Sequence, residues 1–70
     1  MLKEYLKQYR YKNNLTQKQM ANLLNSSQSY YSQIENGLRK PGFTFVKRLA
    51  NVLKVEESFI RSLLWNIQTN

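Results

Sequence analysis

Glycine and proline, the residues that most readily interrupt helices, are confined to one short segment of this 70-residue chain. The single proline and both glycines lie within residues 37–42. On either side of this segment, apolar residues recur at spacings of three and four, which is typical of amphipathic helices. We therefore expect an all-α fold, a compact five-helix domain that occupies residues 1–70 as a single unit.

The apolar spacing and the local end signals predict where these helices begin and end. The predicted helices cover residues 2–13, 17–24, 28–36 and 43–54, and the fifth begins at residue 56 or 57. Thr16 is a good N-cap for the second helix, and Gln19 three residues later completes a capping-box pattern. Ser27 or Ser26 can cap the third helix, and Gly37 ends it.

The second and third predicted helices have the spacing of a helix-turn-helix, in which a turn of about three residues separates two short helices. Asn25 stands at the turn position that requires a positive φ, where glycine is usual and asparagine is the next best residue. Ala21 is small enough to let the two helices approach closely. We expect the second helix to bury its apolar residues, namely Met20, Ala21, Leu23 and Leu24.

The charge of the chain points to a polyanionic partner. The chain carries eleven Lys and Arg against four Glu, a net charge of +7, and residues 1–54 alone carry +8. A merely basic soluble domain is the alternative interpretation. The absence of cysteine and histidine and the scattering of the four glutamates predict no enzyme activity, no metal and no cofactor. No apolar run is long enough to cross a membrane, so we expect a cytoplasmic protein.

The third helix, projected at 100° per residue, has two different faces. Ser27, Tyr30, Tyr31 and Ile34 gather on one face, and the other carries small polar side chains, Gln28, Ser29, Ser32 and Gln33. Such a face is either simply solvated or suited to DNA bases, since glutamine can bind adenine bidentately and serine can bond to most base edges. Together with the charge and the turn, it favours the reading of double-stranded DNA.

Three ordered motifs resemble the Cro/lambda-repressor-like helix-turn-helix family, also called the XRE family. The run LTQKQMA over residues 15–21 resembles the family's L-T-Q-x-x-L-A, and YSQIENG over residues 31–37 resembles I-S-x-I-E-x-G. Pro41 with LANVL over residues 49–53 resembles P…L-A-x-x-L. The resemblance covers about residues 2–64. It implies a five-helix domain that binds operator DNA as a homodimer and regulates transcription, which we interpret as repression.

The resemblance also implies roles for individual residues. Base reading is assigned to Gln28, Ser29, Ser32 and Gln33, and phosphate contacts to Gln17, Ser27, Asn36, Arg39 and Lys40. Arg10 and Glu35 match a family pair that bridges the first helix to the end of the third. The sequence departs from the family at Asn25, at Ser26 and at Tyr31, whose ring must enter the core and whose hydroxyl then needs a partner.

The C-terminal segment, about residues 56–70, carries more apolar residues than one side of a short helix needs. Ile60 and Leu64 are expected in the core. The remainder suits a dimer interface, which we assign to Phe59, Leu63, Trp65 and Ile67. The alternative function is a protein-interaction module, such as the antitoxin of a toxin–antitoxin pair. Tyr5, Tyr9 and Tyr11 either stack on single strands or are core-edge and ordinary surface residues of the first helix, and the second is favoured.

Overall fold

A computed structural model describes residues 2–65, except for the side chain of Trp65. These residues form five helices. The helices are α1 (Leu2–Lys12), α2 (Gln17–Leu23), α3 (Gln28–Glu35), α4 (Phe43–Leu53) and α5 (Glu57–Trp65). There are no strands within residues 2–65. The all-α prediction is confirmed. The first four helices each end one residue earlier than predicted, because in α2, α3 and α4 that residue serves as the C-cap.

The starts of α2 and α3 follow the predicted capping chemistry. The Thr16 hydroxyl accepts a hydrogen bond from the Gln19 backbone N–H at 3.1 Å, and the Gln19 side chain accepts one from the Thr16 N–H at 2.8 Å. This is the predicted capping box. The Ser27 hydroxyl accepts from the Tyr30 backbone N–H at 3.1 Å and so begins α3.

The turn between α2 and α3 is closed by a left-handed residue. Asn25 has φ 54°, and the following N–H, that of Ser26, donates to the Ala21 carbonyl at 2.9 Å. Gly37 ends α3 in the same way, with φ 76° and the Leu38 N–H donating to Gln33 at 2.9 Å. Both are Schellman motifs, in which the backbone itself satisfies the last carbonyls of the helix.

The core lies where the apolar sides of all five helices meet. In it α2 packs on α3, α4 packs on α5, and α1 contacts both α3 and α5. The buried apolar residues are Leu2, Leu6, Met20, Ala21, Leu24, Tyr31, Ile34, Phe45, Val46, Leu49, Ala50, Leu53 and Ile60. The inner side of α3 is therefore packed in the core, and its outer side faces solvent.

One expected core residue is exposed. Leu23 was predicted to be buried, but 53% of its surface is accessible, whereas the adjacent Leu24 is completely buried. At 100° per residue, Met20, Ala21 and Leu24 fall within one arc of about 100° that faces the core, and Leu23 falls outside this arc. The prediction for Leu23 is wrong for this reason.

Candidate nucleic-acid interface

The outer side of α3 carries the four side chains that the sequence analysis assigned to base reading. Gln28 and Ser29 are exposed, and Ser32 and Gln33 are half-buried. On the inner side, Tyr31, Ile34 and Glu35 are buried. The helix thus presents a polar, uncharged surface on a rigidly packed support.

Weak hydrogen bonds link this polar surface along the helix. The Gln33 amide nitrogen donates to the Ser29 hydroxyl at 3.4 Å, and the Asn36 amide nitrogen donates to the Ser32 hydroxyl at 3.3 Å. Hydrogen bonds of this length are weaker than those near 2.9 Å. The amides are consequently kept close to the helix surface, yet they exchange these partners for others at little cost.

A buried ionic network fixes the end of α3. The Glu35 carboxylate is completely buried and accepts from Arg10 through Nε at 2.6 Å and Nη2 at 3.0 Å. It also accepts from Gln17 Nε2 at 2.8 Å and from the Tyr31 hydroxyl at 2.7 Å. Arg10 Nη1 donates in addition to the Leu15 carbonyl at 2.9 Å. One carboxylate therefore joins α1, α2 and α3.

The network keeps Glu35 ionised despite its burial. Burial alone would raise the pKa of the Glu35 carboxyl, but the hydrogen bonds from Arg10, Gln17 and Tyr31 outweigh it and lower that pKa below its ordinary value. Burial, followed by the hydrogen bond to Glu35, raises the pKa of the Tyr31 hydroxyl, which stays protonated as a donor. The hydroxyl that the sequence left in need of a partner thus finds it one helical turn away.

Two of the side chains that were assigned to phosphate contact already have partners within the fold. Gln17, at the start of α2, directs its amide nitrogen to Glu35, and the Ser27 hydroxyl is the N-cap acceptor of α3. Both still lie at helix N-termini, where backbone N–H groups favour anions. Their side chains therefore serve the fold, and their assignment to phosphate contact stays a prediction.

The other three assigned side chains lie at or after the end of α3. Asn36 is exposed, as are Arg39 and Lys40 in the segment before Pro41. The Arg39 guanidinium carbon lies 4.9 Å from the centroid of the Tyr30 ring. We call residues 37–42 the basic loop. It carries two exposed cations directly after α3, and Arg39 lies against a side chain of that helix.

Sequence reasoning missed the contribution of Arg48 to this site. Its Nη1 atom donates to the Asn25 carbonyl at 3.1 Å and lies 3.5 Å from the Leu24 carbonyl. A cation at this position complements the negative end of α2 and braces the turn. The two residues are 23 positions apart in the sequence, and no local signal connects them.

The aromatic and apolar residues away from α3 divide between core and surface. Tyr5 and Tyr9 are half-buried against the core, which agrees with the edge-of-core interpretation. Ile60 is completely buried, and Leu64 packs on the core as a partly buried residue. On α5, Phe59 is 39% exposed and Leu63 is half-buried. Of the assigned dimer residues, the side chain of Trp65 and the whole of Ile67 lie outside the described residues.

Within residues 2–65, no helix is both long enough and apolar enough to cross a bilayer. In the same range, no three acidic side chains gather where they could share a metal ion.

Two short helices that meet at a left-handed turn, with the second presenting a polar outer surface, define the helix-turn-helix class of proteins. A helix-turn-helix family model matches residues 6–60. The chain is also 34% identical over 53 residues to the uncharacterized HTH-type transcriptional regulator YqaF of Bacillus subtilis (strain 168), a match that covers 76% of this chain and 70% of that protein. No solved structure matches the chain with significance. The chain therefore belongs to the XRE-type helix-turn-helix family, which confirms the resemblance seen in its motifs.

Proposed function

We propose that this protein is a sequence-specific regulator of transcription that binds double-stranded DNA as a homodimer and acts as a repressor. One observation carries the proposal: α3 has a polar outer surface from Gln28 to Gln33, and the basic loop that follows it carries two exposed cations, one of which, Arg39, lies against Tyr30 of the same helix. A helix with small and amide side chains can enter the major groove, and cations at its edge can hold the flanking phosphates. The similarity to YqaF supports the regulatory role.

The chemistry of base reading follows from the two glutamines. An amide donates and accepts at the same time, which matches the N6 donor and N7 acceptor of adenine in the major groove. Both Gln28 and Gln33 lie on α3, and Ser29 between them is short enough to allow a close approach. The buried Glu35 network fixes the C-terminal end of α3, so the helix that carries these amides is held in place before DNA is bound.

Replacing Gln33 with alanine should weaken binding to the preferred operator by about 1–3 kcal/mol, because one base edge loses its bidentate partner. Binding to random duplex should barely change, since no phosphate contact is lost. Replacing Lys40 with alanine should instead weaken binding to both duplexes by the same factor. Selection of bound sequences from random duplexes supplies the operator, and titrations give the ratio of operator to random affinity for each variant.

The matched control for this test is Gln8→Ala, which removes an exposed glutamine from α1. It should leave both affinities and their ratio unchanged. If Gln33→Ala keeps the wild-type ratio while Lys40→Ala lowers it, base reading has been assigned to the wrong residues.

The dimer is part of the proposal because one recognition helix reads only half of a symmetric site. Support comes from the exposed ring of Phe59 on α5 and from the apolar residues that follow it in the sequence. We place the dimer interface on residues 56–70 of what we propose to be a single DNA-binding domain.

Replacing Trp65 with serine should shift the protein from dimer toward monomer, because a serine removes most of the apolar area that an indole buries in an interface. Sedimentation over a range of protein concentrations measures this shift. Tyr11→Ser is the control, since Tyr11 is an exposed aromatic residue on α1, with 64% of its surface accessible. A wild-type protein that sediments as a monomer at high concentration, both free and on DNA, would rule out the dimer.

A further inference from the structure

Tyr30 lies between the reading helix and the basic loop and contacts both sides of this boundary. Its backbone belongs to α3, and its hydroxyl accepts a hydrogen bond from the Gly42 backbone N–H at 3.0 Å. Its ring faces the Arg39 guanidinium, with the guanidinium carbon 4.9 Å from the ring centroid. The ring also packs edge-on against Phe45 of α4, with centroids 5.1 Å apart.

We propose that Tyr30 is a positioning residue for DNA binding, which holds the basic loop and the Arg39 guanidinium in place for the phosphate backbone. This inference rests on the proposed function, and it assigns a role to a residue that touches neither a base nor a phosphate in that proposal. From the sequence, Tyr30 was grouped only with Ser27, Tyr31 and Ile34 on one face of the third helix.

The three contacts act on different parts of the loop. The hydrogen bond to Gly42 fixes the end of the loop, where α4 begins. The ring fixes Arg39 inside the loop, because a guanidinium is attracted to the face of an aromatic ring. Phe45 is buried, so the edge-on contact ties the Tyr30 ring to the core and not merely to other surface groups.

Positioning matters here because an arginine has many rotamers in water and loses them when it binds a phosphate. A side chain that is already placed over a ring loses fewer of them at that step, so binding is tighter for the same contact. Tyr30 also belongs to the same helix as Gln28 and Gln33. Tyr30 thereby sets the distance between the base-reading helix and the phosphate-binding loop.

The test compares Tyr30→Leu in the wild type and in an Arg39→Gln background, with DNA affinity measured where every variant is fully folded by circular dichroism. In the wild type, Tyr30→Leu should weaken binding to operator and to random duplex alike, by about threefold to tenfold. In the Arg39→Gln background the further loss of affinity should be clearly smaller than in the wild type, because the cation that the ring positions is absent and only the hydrogen bond to Gly42 is lost. Tyr30→Phe, which keeps the ring, should bind better than Tyr30→Leu.

The matched control is Tyr9→Leu, which removes a half-buried tyrosine of α1 whose hydroxyl lies 3.5 Å from the Val52 carbonyl. It should lower thermal stability and leave DNA affinity unchanged. The inference is overturned if Tyr30→Leu binds like the wild type, or if it weakens binding equally in both backgrounds, which is the result expected of a purely structural residue. A wild-type protein that binds no duplex overturns the proposed function itself, and this outcome is distinct from both.

Discussion

Replacing Arg10 with methionine should lower the free energy of unfolding by about 3–5 kcal/mol, which is the range for removing one partner of a buried ion pair. Only 9% of the surface of Arg10 is accessible and none of that of Glu35, so the carboxylate left behind cannot recover its lost partner from water. Methionine occupies much of the volume of the aliphatic part of arginine. The loss of stability therefore reflects the missing charge and hydrogen bonds more than a cavity. Equilibrium unfolding in urea at neutral pH measures the change.

An exposed ion pair on α5 provides the control. Arg61 lies 3.3 Å from Glu57, and about two-fifths of each side chain is accessible. Arg61→Met should therefore lower the free energy of unfolding by less than about 1 kcal/mol. The double variant Arg10→Met with Glu35→Leu should be more stable than Arg10→Met alone, because no unpaired charge remains in the core. An Arg10→Met protein with an unchanged urea midpoint would show that the pair contributes nothing.

The pH dependence of stability gives a second measure of the same network. The pKa of Glu35 is lowered in the folded protein, so its contribution is complete above the ordinary glutamate pKa of about 4.3 and is lost as the pH falls through the lowered pKa. In the Arg10→Met variant, burial raises the pKa of the Glu35 carboxyl. Protonation in acid then removes the unpaired buried charge, so the variant loses less stability in acid than the wild type. The stability difference between the two proteins should narrow in acid.

The features that could be predicted from the sequence are those that depend on neighbouring residues. The capping box at Thr16 and the left-handed turn at Asn25 need only four or five residues of chain, and both occur as predicted. The need of the Tyr31 hydroxyl for a partner was also evident, because a ring at an inner position of α3 has to be buried. Its partner, Glu35, is one turn further along the same helix.

The features that escaped prediction depend on how the helices are arranged in space. Arg48 binds the turn after α2, and Gly42 binds Tyr30 of α3, across separations of 23 and 12 residues. Nothing in the local pattern distinguishes Arg48 from an ordinary solvated arginine. Leu23 was misplaced because periodicity gives a helix an apolar side without specifying which of two adjacent leucines faces the core. Gln17 was assigned to a phosphate, and its contact with Glu35 needs the folded position of α3.

The buried network and the proposed base-reading surface lie on the same helix, α3. Glu35 and Gln33 are two residues apart on α3, on its inner and outer sides, so the ionic contacts that anchor Glu35 also hold the helical turn that carries Gln33. Arg10→Met is consequently expected to loosen the position of α3 as well as to destabilise the protein. Base reading should be affected even at temperatures where the variant stays folded.

The affinity for duplex DNA should fall about 10³-fold to 10⁵-fold between 50 and 200 mM monovalent salt, which is typical of a protein that neutralises about six to ten phosphates. For a dimer this corresponds to about three to five phosphates per subunit and to a log–log slope of roughly −5 to −9. The net charge of +7 and the exposed cations of the basic loop supply the necessary positive charge. Fluorescence titration of a labelled duplex over this range of salt gives the slope.

Two matched lysine variants locate the charges that produce this slope. Lys40→Gln should make it shallower by about one for each subunit, because the basic loop loses a phosphate contact. Lys54→Gln removes the same charge at the other end of α4, an 11-residue helix about 16 Å long, and should leave the slope unchanged. A response to salt that is flat for the wild type would contradict DNA binding, because displacement of counterions from the phosphates cannot be avoided when a basic surface binds a duplex. Equal effects of the two variants would instead mean that the charge of the whole chain, and not the basic loop, determines the affinity.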